Sequence, residues 1–312
     1  MTARTRAGAL SLSDLMGSPR RRRRERVVGR VFKGSAAVSV LISGLIVFSL
    51  IGRAIQFLTQ IRLSSLWAIG WFPRRGLFDI RTILVGTLLV SAIAMLVAAP
   101  IGLGAAIYLS EYASARARRI LKPVLEVLAG IPSVVMGYFA LTFISPQLVQ
   151  RLSSKAGVFN MAAAGIGVGI LVVPLVASVA EDAMFAVPVS IREASYGLGA
   201  KKMTTAIRVV FPAAVSGIVA ALILGVSRAI GETLVVAIAA GGTGGSLFTM
   251  NVFGPGQTMT GAMASLATGS DAVKGAGGAY PSLFFVGFLL FVMTFGLNLA
   301  SERFVRRVRR RY

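Results

Sequence analysis

An arginine and a glutamate four residues apart interrupt one of the most apolar stretches of the sequence. Arg228 and Glu232 lie in the run SRAIGETL, which follows SGIVAALILGV and precedes VVAIAA. An arginine at the centre of a membrane helix costs about 2.5–3.5 kcal/mol on insertion scales, so it usually has a function there. Its planar guanidinium could offer paired donors to an oxyanion, with the carboxylate orienting it or accepting a proton. Alternatively, the two side chains share a helix face at spacing i, i+4, neutralise each other and join helices.

The composition is typical of a polytopic membrane protein. The chain of 312 residues is 55% hydrophobic and 14% charged, with a mean hydropathy of +0.79, whereas soluble domains carry about 25% charged residues. Cysteine and histidine are absent, which excludes thiol nucleophiles, disulfides, imidazole bases and the usual zinc sites. No paired carboxylates or nucleophile elbow suggest catalysis. We therefore expect no catalytic residues and no metal site.

The apolar segments predict an all-α fold with six transmembrane helices. Each segment is close to the roughly 20 residues that a helix needs to cross a bilayer. They cover residues 35–58, 82–109, 124–148, 159–180, 213–240 and 281–300. We therefore expect a transmembrane domain over 35–300, between a basic N-terminal segment, 1–34, and a basic tail, 301–312.

The distribution of basic residues predicts the orientation. With the N-terminus in the cytoplasm, the inside segments hold most of the 33 lysines and arginines, as the positive-inside rule requires. Six spans then place both termini in the cytoplasm. The same asymmetry explains the net charge of +22 without a nucleic-acid partner.

One predicted outside stretch, WFPRRGLFDIRT at residues 71–82, is basic against this trend. Aromatic and arginine side chains of this kind often anchor an interfacial segment. Alternatively, the stretch contacts an anionic solute or an acidic docking protein.

The longest polar interruption predicts two short helices joined by a bend on the cytoplasmic surface. It lies within residues 181–212, in the run EDAMFAVPVSIREASYGLGAKKMTTAIRVVFPAA. Pro188 opens the first helix, and Gly199 permits a turn that residues with a Cβ atom resist. The second short helix begins at Lys201 and Lys202, and Pro212 suits the first turn of the next membrane helix.

This loop resembles the pattern E-A-A, three residues, G, nine residues, I-x-L-P of permease subunits of binding-protein-dependent ABC importers. The chain has the same spacing, in Glu193-Ala194-Ser195, Gly199 and Val209-Val210-Phe211-Pro212, with mild departures at Ser195, Val209 and Phe211. The resemblance implies that the loop forms coupling helices that sit in a cleft of an ATP-hydrolysing subunit. The expected coupling residues are Glu193, Ala194, Gly199, Lys201, Lys202 and Pro212.

Two further stretches resemble the permeases of bacterial phosphate ABC importers over roughly residues 82–300. They are EYASARARRILKPVLEVLAGIPSVVMGYFAL and SRAIGETLVVAIAAGG, and the forms LKPVLEVLAGIPSVV and GETLVV are similar to the C-type rather than the A-type subunit. The resemblance implies the type I importer permease fold in the bacterial inner membrane. It also implies a second homologous permease, two ATPase subunits that bind ATP and magnesium, and an external phosphate-binding protein. The chain has no P-loop motif, so we expect it to have no ATPase site and no cofactor of its own.

The resemblance also supports a solute path lined by Arg228 and Glu232. Glu126, near the inner end of the third span, is a further path candidate, although its side chain could equally reach the membrane interface. Two other functions remain open. The chain could be a permease for another oxyanion such as sulfate or molybdate, or a non-transporting membrane scaffold or sensor of the same fold.

Overall fold

The computed structural model describes residues 19–67, 69–242, 245–268 and 278–309. The chain divides into two compact units, Met1–Leu50 and Ile51–Tyr312, which are described separately. Residues 1–18 of the predicted N-terminal segment and residues 310–312 of the predicted tail lie outside the described residues.

The first unit consists, in its described part, of most of helix α1, Pro19–Gln60. The helix begins in the basic run SPRRRRRER, well before the predicted span 35–58. Pro19 suits the first position of a helix because its missing N–H needs no partner there. The apolar residues that follow are exposed within this unit, as expected of a helix that faces lipid.

Ten further helices make up most of the described second unit. Helix α2 continues into a π-helical turn at Tyr108–Tyr112. Helix α4 continues through a π-helical segment, Ala140–Val149, and a short α-helical turn to Leu152, and α7 continues through a π-helical turn, Ala206–Val210, and a short α-helical turn to Ala213. Their bounds are α2 Ile80–Ile107, α3 Ala115–Ala129, α4 Ser133–Phe139, α5 Met161–Phe185, α6 Val189–Gly197, α7 Lys202–Thr205, α8 Val215–Ile230, α9 Leu234–Ala239, α10 Met259–Thr268 and α11 Ala279–Arg309.

Helix length and composition are consistent with six membrane spans. Four helices among the described residues are long and apolar enough to cross a bilayer, and they lie within α1, α2, α5 and α11. Two bent pairs also qualify, α3 with α4 at 86° and α7 with α8 at 74°. The predicted count of six therefore holds if each bent pair is one span.

Two of the predicted spans are not continuous helices. The span predicted over 124–148 breaks between α3 and α4 at Gly130, Ile131 and Pro132, because the residue before a proline disfavours helix. The span predicted over 213–240 ends at Ile230 and resumes at Leu234. The hydropathy pattern does not reveal the first break, since its flanking residues are apolar, whereas the second break contains the charged Glu232.

Helices α2, α5 and α8 pack closely because glycines lie at their contacts. A Cβ atom on Gly102 of α2 would lie 2.9 Å from Val176 of α5, and one on Gly169 of α5 would lie 2.8 Å from the Ala94 carbonyl of α2. Gly225 of α8 approaches Val176 in the same way, at 2.9 Å. Small residues allow membrane helices to approach this closely, so the three helices form one tightly packed group.

The basic stretch 71–82 forms a small hairpin rather than an extended interfacial segment. Strand β1, Trp71–Phe72, pairs antiparallel with β2, Leu77–Phe78, and two isolated β-bridges, Trp71 with Ser246 and Gly241 with Gly256, are the other β-pairings among the described residues of this mostly helical fold. The rings of Trp71 and Phe78 are buried, and Phe78 packs edge-on against Phe57 at 5.0 Å. These aromatic side chains therefore stabilise the core instead of anchoring the surface.

Asp79 joins the hairpin to α2. Its Oδ2 accepts a hydrogen bond of 2.7 Å from the Thr82 hydroxyl, and its Oδ1 accepts one of 3.1 Å from Arg81 Nε. This buried aspartate caps the helix, as expected for a side-chain acceptor at an N-cap. Arg81, one of the basic residues of the stretch, therefore has a structural role.

Candidate functional site

Arg228 and Glu232 meet at the break between α8 and α9. Arg228 lies near the C-terminal end of α8, whereas Glu232 lies beyond that end, after Gly231. Glu232 is thus not a residue of α8 itself, but the predicted i, i+4 contact is present, with 3.2 Å between Arg228 Nη1 and Glu232 Oε2. The last helical turn extends past α8, because the Gly231 N–H bonds to the Ser227 carbonyl and the Glu232 N–H to the Ala229 carbonyl.

The two partners differ sharply in exposure. The Glu232 side chain is 4% exposed, whereas that of Arg228 is 53% exposed. A guanidinium carries five N–H donors, and the contact with Glu232 uses one of its nitrogens. Arg228 therefore has donors left for a second oxyanion while its carboxylate partner stays fixed.

Helix α10 holds the break in position. The Thr260 hydroxyl donates to the Glu232 carbonyl at 2.7 Å, and the Thr233 N–H donates to Glu232 Oε1 at 3.2 Å. Backbone groups freed by a broken membrane helix need such partners, since each unpaired one is costly in hydrocarbon. The buried carboxylate therefore uses both oxygens in defined contacts.

A cavity of about 300 Å³ lies beside this break. Gly231, Thr233 and Thr260 line it together with apolar side chains of α10 and α11. Discontinuous helices often form substrate sites in transporters, but neither Arg228 nor Glu232 lines this cavity, so it adjoins the ion pair rather than containing it.

The structure does not group Glu126 with this pair. Glu126 is exposed on α3 and lines a different cavity of about 620 Å³, together with Arg118, Arg119 and Lys122. Its neighbours are the cations at the end of α3 that lies next to the loop 181–212. Its role in a solute path stays a prediction.

The loop 181–212 has the predicted bend. Gly199 has φ +79°, and a Cβ atom there would meet nothing within 4 Å, so backbone conformation rather than space favours glycine. Helix α6 follows Pro188, and α7 begins at Lys202. Most of the predicted coupling residues are exposed and Pro212 is half-buried: the exposed ones are Glu193, Ala194, Gly199, Lys201 and Lys202.

A set of buried ion pairs was not predicted from the sequence. They lie at the end of the helix group that carries residues 181–212, which we call the loop end. The fully buried Glu181 of α5 binds Arg118 and, at 2.8 Å, Lys122 of α3. Arg192 of α6 binds the buried Glu111 at the end of α2, at 3.0 Å. The only sequence signal was a few charged residues at the ends of apolar runs, and it does not indicate which residues pair.

The fold and the charged break define a class of membrane transport protein. Residues 98–311 match the family described as binding-protein-dependent transport system inner membrane component. The chain belongs to that family and is an ABC importer permease, a multi-pass protein of the inner membrane.

Relatives and solved structures agree with this family. The probable ABC transporter permease protein YqgH of Bacillus subtilis (strain 168) is 32% identical over 241 residues, which cover 75% of this chain and 78% of the relative. The phosphate transport system permease protein PstC 1 of Mycobacterium tuberculosis is 35% identical over 249 residues, which cover 73% and 72%. PstC of Mesorhizobium japonicum is 31% identical over 291 residues, which cover 87% and 86%.

A bacterial alginate ABC transporter has a similar fold. One of its chains, in the complex with an alginate pentasaccharide-bound periplasmic protein, has a TM-score of 0.61 and 16% identity, covering 91% of this chain and 97% of that one. The predicted type I permease fold and the resemblance to phosphate permeases are thus confirmed.

Proposed function

We propose that the chain is the permease subunit of an ATP-driven importer that moves inorganic phosphate across the inner membrane by alternating access. Three relatives support phosphate as the solute, since each is named a phosphate transport system permease protein at 31–35% identity. The observation that carries the proposal is the helix break, at which a buried glutamate orients a half-exposed arginine.

Arg228 binds the phosphate oxyanion in this proposal. Its planar fork matches two oxygens of a phosphate group. Glu232 holds the guanidinium in place and can accept the proton of hydrogen phosphate. A pair with a purely structural role is a weaker explanation, because apolar packing in place of a buried ion pair is often equally stable.

The partners follow from the family and from the exposed loop. The chain pairs with a second homologous permease, two ATPase subunits and an external phosphate-binding protein. Both termini and the loop 181–212 face the cytoplasm, and the exposed residues Glu193, Ala194, Lys201 and Lys202 contact an ATPase subunit. ATP and magnesium bind only to the ATPase subunits.

ATP binding drives the transport cycle. Closure of the two ATPase subunits pushes the coupling loop, and the helices then rock to open the solute path to the other side. The external protein captures dilute phosphate and delivers it to the permeases.

Uptake by the complete complex in proteoliposomes tests the site. Arg228→Lys keeps the charge but loses the planar fork, so we expect uptake per assembled complex to fall about tenfold or more. Glu232→Gln should also lower uptake, because it weakens the contact that orients the arginine. Ser227→Ala is the matched control on the same helix, since it removes only a 3.4 Å hydrogen bond to Asn298.

The double variant Arg228→Gln, Glu232→Gln separates transport from assembly. If the pair binds solute, the double variant assembles but does not transport. Native uptake by an assembled double variant would refute the path role. Competition with sulfate and molybdate in the native complex then identifies the solute, and preferred uptake of either would replace phosphate in the proposal.

A further inference from the structure

Arg192 connects the first coupling helix, α6, to two membrane helices at once. Its Nε and Nη2 donate to Glu111 Oε1 at 3.3 and 3.0 Å, and Nη2 also donates to the Met184 carbonyl at 2.8 Å. Its Nη1 donates to the Val187 carbonyl. One guanidinium therefore contacts the end of α2, the last turn of α5 and the link that leads into α6.

This contact is buried, unlike the surface around it. The Arg192 side chain is 14% exposed and that of Glu111 is 3% exposed, whereas the neighbouring Glu193 and Ala194 are exposed. Within α6, adjacent residues thus face opposite ways. Glu193 and Ala194 are accessible to a partner, and Arg192 points into the membrane domain.

The second coupling helix contacts the same segment of α2. Lys202 Nζ lies 5.2 Å from the centre of the Tyr112 ring, next to Glu111 in sequence. The buried hydroxyls of Ser195 and Thr205 hydrogen bond at 2.9 Å and join the two coupling helices. Both helices of the loop therefore contact the π-helical turn Tyr108–Tyr112, a local structure that is frequent at functional sites.

Helix α2 can transmit a displacement of that turn to the candidate solute site. The helix is about 42 Å long for its 28 residues, and its glycine contacts lock it against α5. Gly225 of α8 also packs closely on α5, and α8 carries Arg228. A force on Glu111 therefore acts on a tightly packed helix group rather than on a free segment.

We propose that Arg192 is the positioning residue that transmits movement of the coupling loop to the membrane helices, through Glu111 and the end of α5. This inference rests on the proposed function, because it needs an ATPase partner that moves the loop. A fork with four hydrogen bonds to three acceptors, on Glu111, Met184 and Val187, resists sliding and rotation, which a single point charge does not. Loss of the fork should let the loop move without moving α2.

The test is the number of solute molecules taken up per ATP hydrolysed by the complete complex in proteoliposomes, with phosphate as the probe. We expect Arg192→Lys and Arg192→Gln to lower this ratio about tenfold, a typical size for coupling between linked sites, while ATP hydrolysis continues. Glu111→Gln should lower it less, since the two carbonyl contacts remain. The control is Arg116→Gln, which removes the same charge from an exposed position of α3.

A merely structural role of Arg192 predicts a different result. Its replacement would lower the melting temperature and the yield of assembled complex, but assembled complexes would keep the native ratio of solute taken up to ATP hydrolysed. The inference is overturned if any assembled Arg192 variant keeps that ratio, or if none of the three variants retains its ATPase subunits. A native complex that hydrolyses ATP without taking up any oxyanion would instead refute the proposed function.

Discussion

The break at Arg228 and Glu232 and the loop end both contain buried carboxylates paired with cations, but they differ in how completely the cations are used. At the break, Arg228 has one ionic contact and a half-exposed side chain. At the loop end, Arg192 has a carboxylate and two carbonyl partners, and Glu181 has two cations. The first arrangement leaves donors for a ligand, whereas the second leaves few.

This difference indicates two physical roles for similar residue pairs. A cation whose donors are all satisfied contributes rigidity, because any movement breaks several charge-assisted hydrogen bonds. A cation with donors left over can bind an oxyanion without losing its orienting partner. Exposure and the number of partners, rather than the presence of charge, therefore distinguish the candidate solute site from the anchors that surround the loop.

Removal of a saturated anchor should have the largest effect on stability. Glu181→Ala leaves the partly buried Arg118 without its carboxylate and leaves Lys122 with Asp182 as its remaining ionic partner, and breaking a buried pair in this way costs about 3–5 kcal/mol. We expect a clear fall in melting temperature and in the yield of folded protein in detergent. The control is Asp182→Asn, since Asp182 also binds Lys122 but its side chain is 64% exposed. Equal losses for the two variants would contradict the distinction between anchor and surface pair.

An intermediate effect is expected at the break. Thr260→Val removes the 2.7 Å hydrogen bond to the Glu232 carbonyl and leaves a buried acceptor unpaired, at a cost of about 1–3 kcal/mol. Uptake per assembled complex should fall, because the turn that orients Glu232 loosens. Thr268→Val is the matched control on the same helix, since its exposed hydroxyl bonds only to Ala264 of its own helix. Native uptake by Thr260→Val would show that the break needs no support from α10.

The smallest of the three effects is expected at the bend of the loop. Gly199→Val forces a β-branched residue to φ +79°, a left-handed conformation that costs about 1–2 kcal/mol. The bend should shift, which lowers ATPase association or the uptake per ATP. Gly197→Val is the control, because a Cβ atom there also meets nothing within 4 Å and Gly197 lies in the regular helix α6. If the two variants behave alike, the positive φ of Gly199 is not the reason for glycine.

The local features of the chain could be predicted from the sequence. Apolar segments long enough to cross a bilayer indicated the membrane class, and the order of Pro188, Gly199 and Lys202 indicated two short helices with a bend. These features depend on residues within a few positions of one another, so composition and spacing describe them well. The break at Gly130 was missed because the glycine lies between residues as apolar as any in a continuous span. The break at Gly231 was missed although the adjacent Glu232 marked a polar interruption, because a charged residue does not by itself indicate where a helix ends.

The candidate site was only partly predictable. The charge of Arg228 and Glu232 in an apolar run was visible in the sequence, but their arrangement as an exposed residue and a buried one was not. Their distance arises from the turn at Gly231, and their exposure arises from the packing of α10, whose Thr260 is 28 residues away from Glu232. The spacing correctly predicted their i, i+4 contact, but not that the helix ends at Ile230, before Glu232.

The sequence by itself determined the membrane class, the family and the position of the coupling loop, because each follows from hydropathy or from a motif of adjacent residues. The tertiary structure alone decided which carboxylates bind well-satisfied cations at the loop end and which one orients a half-exposed guanidinium. Arg118 and Glu181 are 63 residues apart, and Glu111 and Arg192 are 81 residues apart. Such partners meet only through the packing of separate helices, and the desolvation that fixes their roles arises from that packing.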